Sequence, residues 1–337
     1  MTTPVRLFHR MEPSVGESAA GFLMRVSHLN GLQSSAELLK YVTGSESATV
    51  QHQYIPELAY FCRNTIDEML QLSGYEKWVN AEPRWSLQSE WITKSVFVQS
   101  RLSKVCTLCL AESPFIRALW SLSFYNHCAW HDCQLIDRCP GCKRLLQWDR
   151  RRPEYCSCRH SLSSADVISL HGNSLLLSKA IAFRLTGDAS LLSTVTNKKL
   201  FEQLIGLSVD GMCKSIWFLG HCLPDLGQHS TGHGRKKPAL EAFELMLDKA
   251  FFNLGNWPDA VGQQLEKLVF EQLQPEFSAV AFHYLLRPLD HYLKTSLDSA
   301  ELAFIGHVYE QHLQKIWRRF GKKNTGSRYE KQLILDF

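Results

Sequence analysis

Eight cysteine and histidine residues in the middle of the chain form two successive sets of four with the spacing of metal ligands. Each set opens with a Cys-x2-Cys pair. The first set closes eighteen residues later with Cys-x2-His, and the second closes thirteen residues later with Cys-x-Cys. Such pairs place two ligand atoms on one turn, and two turns complete a tetrahedron around zinc. The sequence therefore predicts two zinc ions in a tandem module, held by Cys106, Cys109, Cys128 and His131, and by Cys139, Cys142, Cys156 and Cys158.

Disulfides and a catalytic metal site are the alternatives for the same residues. Met1–Arg10 contains no apolar segment typical of a secretory signal peptide, so we expect a cytoplasmic protein, in which disulfides are rare. A catalytic zinc usually keeps one coordination position open for water, whereas a complete set of four ligands leaves none open. We therefore expect structural zinc, no catalytic residue and no enzymatic activity.

Further cysteines and histidines lie near these sets. Three of them are close enough in sequence that a ligand swap stays open: His127, Cys133 and His160. The cysteines outside the two sets are expected to be small, buried apolar residues: Cys62, Cys133, Cys213 and Cys222.

Positive charge is concentrated in two windows of the chain. Residues 138–160 contain seven basic and two acidic residues, and residues 315–331 contain seven basic and one acidic residue, although the whole chain carries only +4. Such windows are suited to phosphate contact, with a solvated basic surface as the alternative. Three successive arginines are expected on the surface of a turn in the second zinc set, as nucleic-acid contacts: Arg150, Arg151 and Arg152.

The elements that position these residues are predicted to be mainly α-helical. The capping-box spacing of Ser14 and Glu17 precedes a helical repeat that ends at Asn30-Gly31, and a second helix starts at Ser34 and ends near Gly44. This helix–turn–helix-like pair is followed by a predicted helix at 65–72 and a β-rich stretch at 91–98. Trp120 is expected to be buried and to brace the first zinc set.

Beyond Cys158 the pattern is again helical. Amphipathic segments occur at 175–183, 201–207, 211–221, 239–254, 261–272, 280–294 and 299–320. Residues 227–238 are predicted to be a polar loop, and the tail from Gly321 is predicted to be mobile. We predict an N-terminal helix-turn-helix-like domain at 1–100, a tandem zinc-binding module at 101–165 and a C-terminal helical bundle at 166–337, with no membrane-spanning stretch.

The order of these motifs resembles the TniQ/TnsD family of transposon target-selection proteins. The N-terminal part of the resemblance is an acidic-serine pair, an arginine-bearing helix and Asn-Gly: Glu17-Ser18, Arg25 and Asn30-Gly31. The zinc region matches through Val105-Cys106, Cys109-Leu110, Trp120, Cys128-Ala129-Trp130-His131, Leu135, Arg138-Cys139-Pro140-Gly141-Cys142 and Leu146. Asn256-Trp257-Pro258 is a weaker likeness. Two positions depart from the family pattern: Thr107 stands where proline is usual, and Arg159 stands where glycine is usual.

The resemblance implies a non-enzymatic adaptor that directs where a transposon inserts. Members of this family recruit an AAA+ transposition regulator, and shorter members join an RNA-guided Cascade ribonucleoprotein of a CRISPR-associated transposon, often as homodimers. At 337 residues, the chain fits this shorter kind, with DNA or guide-RNA backbone as a further partner. The alternative within the family is a direct DNA-binding selector of a conventional transposon. A zinc-dependent nuclease would need an open metal site with a carboxylate ligand.

Overall fold

The computed structural model describes residues 6–44, 49–99, 102–148, 150–168, 172–223, 240–273 and 278–320. Within these ranges the protein is mainly α-helical, with twelve helices and five short strands, as predicted. The chain divides into two compact units. Unit 1 comprises Met1–Phe201 with Ser208–Asp210, and unit 2 comprises Glu202–Leu207 with Gly211–Phe337. The predicted loop at 227–238 and the tail from Gly321 lie outside the described residues, and the three-domain division stays a prediction.

Four short helices open unit 1: α1 (Ala19–Leu29), α2 (Ser35–Thr43), α3 (Ile55–Cys62) and α4 (Ile66–Leu70). The α2 helix begins after Ser34 and ends at the left-handed Gly44, as predicted. The cap of α1 is Ser18 rather than Ser14, because the Ser18 hydroxyl accepts the Gly21 backbone N–H at 3.0 Å. The predicted third helix is α4, which a Thr65–Glu68 capping box starts, and it is shorter than predicted.

A three-stranded antiparallel sheet follows, with strands β1 (Glu76–Val79), β2 (Glu82–Leu87) and β3 (Glu90–Ile92) in sequence order. The tight β1–β2 turn places Asn80 and Ala81 in the left-handed region. The β-rich stretch predicted at 91–98 contains only the end of β3, and a single helical turn at Ser95–Phe97 follows it. The alternation of apolar and polar residues covers only a few positions here, so it predicts strand boundaries poorly.

The cysteine-rich region contains little regular structure: α5 (Thr107–Glu112) and the two-residue strands β4 (His127–Cys128) and β5 (Cys133–Gln134). Isolated antiparallel bridges between Val105 and Ile136 and between Leu102 and Gln147 hold the segments together. Trp120 is fully buried, as predicted. A module with so few strand and helix contacts depends on cross-links for its stability.

The remaining helices are α6 (Asn173–Thr186), α7 (Lys198–Ile205), α8 (Val209–Trp217), α9 (Leu240–Gly255), α10 (Asp259–Leu273), α11 (Ala279–Ser296) and α12 (Ala303–Phe320). A π-helical turn at Phe218–Cys222 directly follows α8. Within unit 2, the buried residues Leu247, Leu265, Leu286 and Ile305 contribute one core residue from each of α9–α12. Each of these helices corresponds to a predicted amphipathic segment.

Candidate metal centres

The first centre is built from one short helix and one hairpin turn. Cys106 caps α5, and its sulfur accepts the backbone N–H of Cys109 at 3.4 Å, so both thiols lie at the start of this helix. Cys128 ends β4, and His131 lies in the turn that leads to β5. The left-handed conformation of Asp132 closes this turn. The four residues come together in one cluster in which all ligand atoms lie within 4.8 Å of one another.

The distances in the first cluster fit a tetrahedral metal. The Nδ1 atom of His131 lies 3.5, 3.3 and 3.4 Å from the sulfurs of Cys106, Cys109 and Cys128, and the last two sulfurs are 3.6 Å apart. Bond lengths of ~2.3 Å to sulfur and ~2.0 Å to nitrogen give tetrahedron edges of about 3.8 Å between sulfurs and about 3.5 Å between sulfur and nitrogen. The cluster therefore has the size that a four-coordinate ion needs.

The second centre is built from two tight hairpin turns. In the first turn, the backbone N–H of Cys139 donates to Arg144 and that of Lys143 donates to Cys139, at 2.9 and 2.8 Å. In the second, the backbone N–H of Cys156 donates to the carbonyl of His160 at 2.9 Å. The paired sulfurs lie 3.6 Å apart for Cys139–Cys158 and 3.7 Å apart for Cys142–Cys156. These four cysteines form the second cluster that could hold a metal ion.

The backbone geometry of the second centre favours glycine at two of its positions, 141 and 159. A Cβ atom at Gly141 would lie 2.8 Å from the ring of His160, so only glycine fits between the two turns. Arg159 has φ +69°, a conformation that favours glycine. The family glycine that this chain lacks thus belongs to a left-handed position. Thr107 likewise occupies the first helical position of α5, where proline is favoured.

The two centres differ in their exposure to solvent. In the first, the three cysteines are buried and His131 is partly exposed. In the second, Cys142 is partly exposed and Cys158 is exposed. A hydrogen bond from Arg144 lowers the pKa of the Cys142 thiol to about 6, which favours its thiolate form at neutral pH. Reagents in solution therefore reach the second centre more easily.

The residues that surround the first centre were not found by sequence reasoning. His131 Nε2 lies 2.9 Å from a carboxylate oxygen of Glu112. The indole N–H of Trp130 donates to Asp188 at 2.9 Å, and the Arg117 guanidinium lies 4.2 Å from the centre of the Trp130 ring. The ammonium of Lys179, on α6, pairs with Asp132 at 2.7 Å. The three-residue spacing of 106, 109 and 112 could have indicated that Glu112 lies near the ligands. The other contacts join residues far apart in the sequence, which no local pattern reveals.

The three residues left open for a ligand swap lie outside both clusters. Cys133 is buried with its sulfur 3.6 Å from that of Cys106. His127 Nδ1 lies 2.9 Å from the Ser174 hydroxyl, and His160 packs on Gly141. Among the other cysteines, Cys62 and Cys213 are buried as expected, whereas Cys222 is partly exposed.

The three arginines predicted on the surface of the second centre do not share one environment. Arg151 and Arg152 are exposed, but the prediction is wrong for Arg150, which is only 1% exposed. Its guanidinium donates to the backbone carbonyls of Gln147 and Pro153, at 2.9 and 3.4 Å. These bonds satisfy buried donors and close the turn, so Arg150 has a structural position.

The N-terminal motif forms a local network within unit 1. Glu17 is fully buried and pairs with Arg25 of α1 at 3.2 Å. The Asn30 side chain accepts the His9 backbone N–H at 2.7 Å and donates to the His9 carbonyl at 2.9 Å. Gly31 has φ +76°, which suits glycine. Each member of this motif therefore fixes the start or the end of α1.

The fold and the two clusters together indicate a class of protein. They describe a helical protein whose central region contains two complete four-ligand sites of the structural kind, without an open position. Residues 8–135 match the family model described as TniQ, which supports membership of the TniQ family, as the resemblance predicted. This family implies a transposition-associated function in DNA targeting and is a non-catalytic family. The comparison with curated proteins gives no match.

Hydropathy completes the description. Among the described residues, no helix is both long enough and apolar enough to cross a lipid bilayer.

Proposed function

We propose that this protein is a non-enzymatic targeting adaptor that links an RNA-guided Cascade complex to an AAA+ transposition regulator and so directs DNA insertion. The observation that carries the proposal is the TniQ match over residues 8–135, on a chain whose two ligand clusters are both closed. A closed cluster supports a scaffold rather than a catalyst, because no ligand position is left for water or substrate. The adaptor acts as a homodimer, as the family resemblance implies.

We also propose that both clusters hold zinc. Three cysteines with one histidine, and four cysteines, suit zinc at tetrahedral spacing, since thiolates are soft ligands and zinc imposes no other geometry. The protein purified without added metal is expected to contain two zinc ions per chain by elemental analysis. Replacement of Cys109 by Ala and of Cys142 by Ala should each remove one ion and unfold the surrounding region, because the metal-binding energy is largely folding energy. Iron, or fewer than one ion of any kind, would contradict this assignment.

The exposed face of α2 supports the adaptor over a direct reader of DNA sequence. A recognition helix reads base edges with several side chains on one face, most often Arg, Lys, Asn or Gln and also Glu or Asp. Glu37, Lys40 and Tyr41 are the exposed residues of α2, and the Glu37 carboxylate accepts the Gln33 backbone N–H at 2.8 Å. Because Glu37 already accepts this bond, Lys40 is the main exposed side chain of α2 suited to base readout, which is few for a recognition helix.

The exposed basic residues around the second centre support unspecific contact with a phosphate backbone. We name this surface the basic rim, and it consists of Arg138, Lys143, Arg144, Arg151, Arg152 and Arg159. The charges of Arg152 and Arg151 help to lower the pKa of His28, after burial as the larger cause, which shows that the end of α1 is near the rim. Arg152 also pairs with Glu154, so Arg151 is the stronger candidate for a phosphate contact.

A direct DNA-binding target selector of a conventional transposon is the second candidate. The observation in its favour is the arrangement of α1 and α2, two helices joined by five residues, followed by the β1–β2 hairpin. Such an arrangement occurs in proteins that insert one helix into the major groove. Its discrimination over random DNA would be roughly 4–10 kcal/mol, unlike that of an adaptor.

One experiment separates these candidates. The protein is co-expressed with a complete Cascade-type ribonucleoprotein of a CRISPR-associated transposon and, separately, offered a library of random duplex DNA. The adaptor is expected to co-purify with the ribonucleoprotein and to bind duplexes weakly, with a steep salt dependence and little sequence preference. Enrichment of one DNA sequence by the isolated protein, without ribonucleoprotein binding, would favour the second candidate.

The basic rim is tested by the double substitution Arg151→Ala and Lys143→Ala, which leaves the hydrogen bond from Arg144 to the ligand Cys142 in place. Nucleic-acid affinity should fall, and the salt slope should shrink by about 0.9 for each lost duplex phosphate contact. The matched control is Arg184→Ala, an exposed arginine of α6 that pairs with Glu90, which should leave the slope unchanged. An unchanged affinity and slope in the double variant, with zinc content intact, would contradict a role for the rim.

A further inference from the structure

Glu112 lies where a carboxylate can orient the only histidine of the two clusters. Its Oε1 atom is 2.9 Å from Nε2 of His131, and the other ring nitrogen, Nδ1, faces the three cysteine sulfurs at 3.3–3.5 Å. The two nitrogens of this ring thus serve different partners. A nitrogen that binds a metal must be deprotonated, which leaves the hydrogen on Nε2. That N–H then points at the Glu112 carboxylate, which is within hydrogen-bond distance.

The position of Glu112 follows from the helix that contains it. Cys106, Cys109 and Glu112 are three residues apart, at the cap, within the first turn and at the end of α5. Residues three apart lie on the same side of a helix. One six-residue element therefore carries two of the thiols and a carboxylate toward the turn that contains His131.

We infer that Glu112 is a positioning residue of the first metal centre, which fixes the tautomer and ring orientation of His131 and thereby strengthens metal binding. This inference rests on the proposed metal at that centre. Histidine ligands commonly donate their second N–H to a carboxylate, and loss of that partner costs about 10–100-fold in metal affinity. Glu112 is 66% exposed and His131 is 17% exposed, so water screens the pair and the lower end of this range applies.

The test measures the metal affinity of the full-length protein by competition with a chelator of known zinc affinity. Cadmium NMR on the cadmium-substituted protein then assigns the effect to a centre, because a site with a histidine ligand and a site of cysteines alone give separate signals. Glu112→Ala should weaken zinc binding at the first centre about tenfold and leave the second unchanged. Glu112→Gln should weaken it less, since the amide oxygen still accepts the N–H. Glu82→Gln, at an exposed position of β2, is the control and should change neither centre.

The same substitution in a His131→Cys variant separates the positioning of His131 by Glu112 from a purely structural role of Glu112 at the end of α5. In His131→Cys the ligand has no second N–H, so adding Glu112→Ala should change the affinity by less than about twofold, in contrast to the loss seen with histidine. A tenfold loss that persists in the His131→Cys background would assign Glu112 to the stability of α5 and overturn the inference.

A further measurement distinguishes failure of the role of Glu112 from failure of the proposed zinc centre. Nitrogen-15 NMR of the wild-type ring should show a protonated Nε2 whose hydrogen exchanges slowly, and Glu112→Ala should accelerate this exchange even if His131→Cys binds no metal. Unchanged exchange, with zinc present, would overturn the role of Glu112 alone. Absence of any bound metal in the wild-type protein would overturn the proposed zinc centre itself.

Discussion

At Arg159 the backbone conformation favours glycine rather than the arginine that the chain has there. This residue follows the last cysteine ligand with φ +69°, and a left-handed conformation costs a residue with a side chain roughly 1–2 kcal/mol. Arg159→Gly is therefore expected to raise the stability of the second centre by up to about 1 kcal/mol, since glycine also loses more entropy on folding. The measurement is the shift in thermal midpoint of the metal-loaded protein. Arg138→Gly, at a position without a positive φ, should give no increase, and a lower midpoint for Arg159→Gly would contradict the argument.

Glu17 makes the stability of unit 1 depend on pH. Burial raises the pKa of this carboxyl group to about 7, although Arg25 and the Ser14 N–H oppose the shift. The folded state then holds the proton more tightly than the unfolded state, so this contribution to stability is present below about pH 4.5 and is lost as pH rises toward 7. Between about pH 6 and 8, the wild type should lose on the order of 1 kcal/mol relative to Glu17→Gln.

Urea denaturation of the two proteins at each pH measures this difference, because the pH effects of the metal ligands are common to both and cancel. Glu68→Gln is the comparison, since hydrogen bonding lowers the pKa of Glu68 instead. For that variant, no relative loss is expected in the same interval. A constant difference between wild type and Glu17→Gln would show that Glu17 remains ionised throughout.

The metal ligands are the part of the site that residue-level patterns predict well. Their chemistry is local, because two ligands on one turn must lie two or three positions apart. Their surroundings are not local: Asp188 is 58 positions from its partner Trp130. The prediction for Arg150 is wrong for a related reason, since the acceptors that allow a guanidinium to be buried are backbone carbonyls that a sequence does not reveal.

At the scale of elements, α6 is fixed to the turn that supplies Cys128 and His131. Lys179 is almost fully buried on this helix and pairs with Asp132, which is 31% exposed. Lys179→Met keeps most of the apolar stem but leaves the carboxylate without its partner. We expect a loss of about 2 kcal/mol, below the roughly 3–5 kcal/mol of a fully buried pair, because water reaches Asp132.

Chemical denaturation of the metal-loaded protein measures this loss. Lys267→Met is the control, because Lys267 and Glu271 form an exposed pair on α10 that should contribute less than about 1 kcal/mol. Equal effects of the two substitutions would mean that α6 is not held by its contact with Asp132. A reduced zinc affinity in Lys179→Met alone would extend the contact's influence to the first centre.

The elements themselves are predictable where a long apolar repeat exists. The last four predicted segments correspond to α9–α12 because these helices of 15 to 18 residues span several turns of the repeat. Sequence reasoning missed the eight-residue α3 and the β1–β2 hairpin. The hairpin contains Pro83, which lies near the start of β2 opposite Trp78. Proline is tolerated at the ends of strands and on edges, which the sequence alone does not indicate.

At the scale of the whole molecule, removal of metal should affect the two units differently. Both centres lie in unit 1, whereas unit 2 has its own apolar core in α9–α12. A chelator should therefore abolish amide protection in peptides from 102–168 and leave peptides from 259–273 and 303–320 protected. Hydrogen exchange followed by mass spectrometry gives this comparison in one experiment.

The same experiment orders the two centres. The exposed Cys158 should make the second centre release its metal first, so protection at 139–160 should disappear before protection at 105–131. Repetition with zinc in excess over chelator is the control and should restore protection in both. Simultaneous loss in both units would show that the chain unfolds as one cooperative body.

The short separation between ligands has a consequence for the order in which the chain folds. The most distant ligands of the first centre are 25 positions apart, and Cys139 and Cys158 are 19 apart, whereas Ser35 donates to the carbonyl of Trp148 across 113 positions. Closing a short loop costs less entropy than closing a long one. During synthesis, each ion can thus be captured as soon as its own segment leaves the ribosome. The N-terminal helices are made first, but their contact with Trp148 can form only after that later segment is made. With the proposed zinc at both centres, we expect a low zinc supply during translation to reduce how much of unit 1 matures.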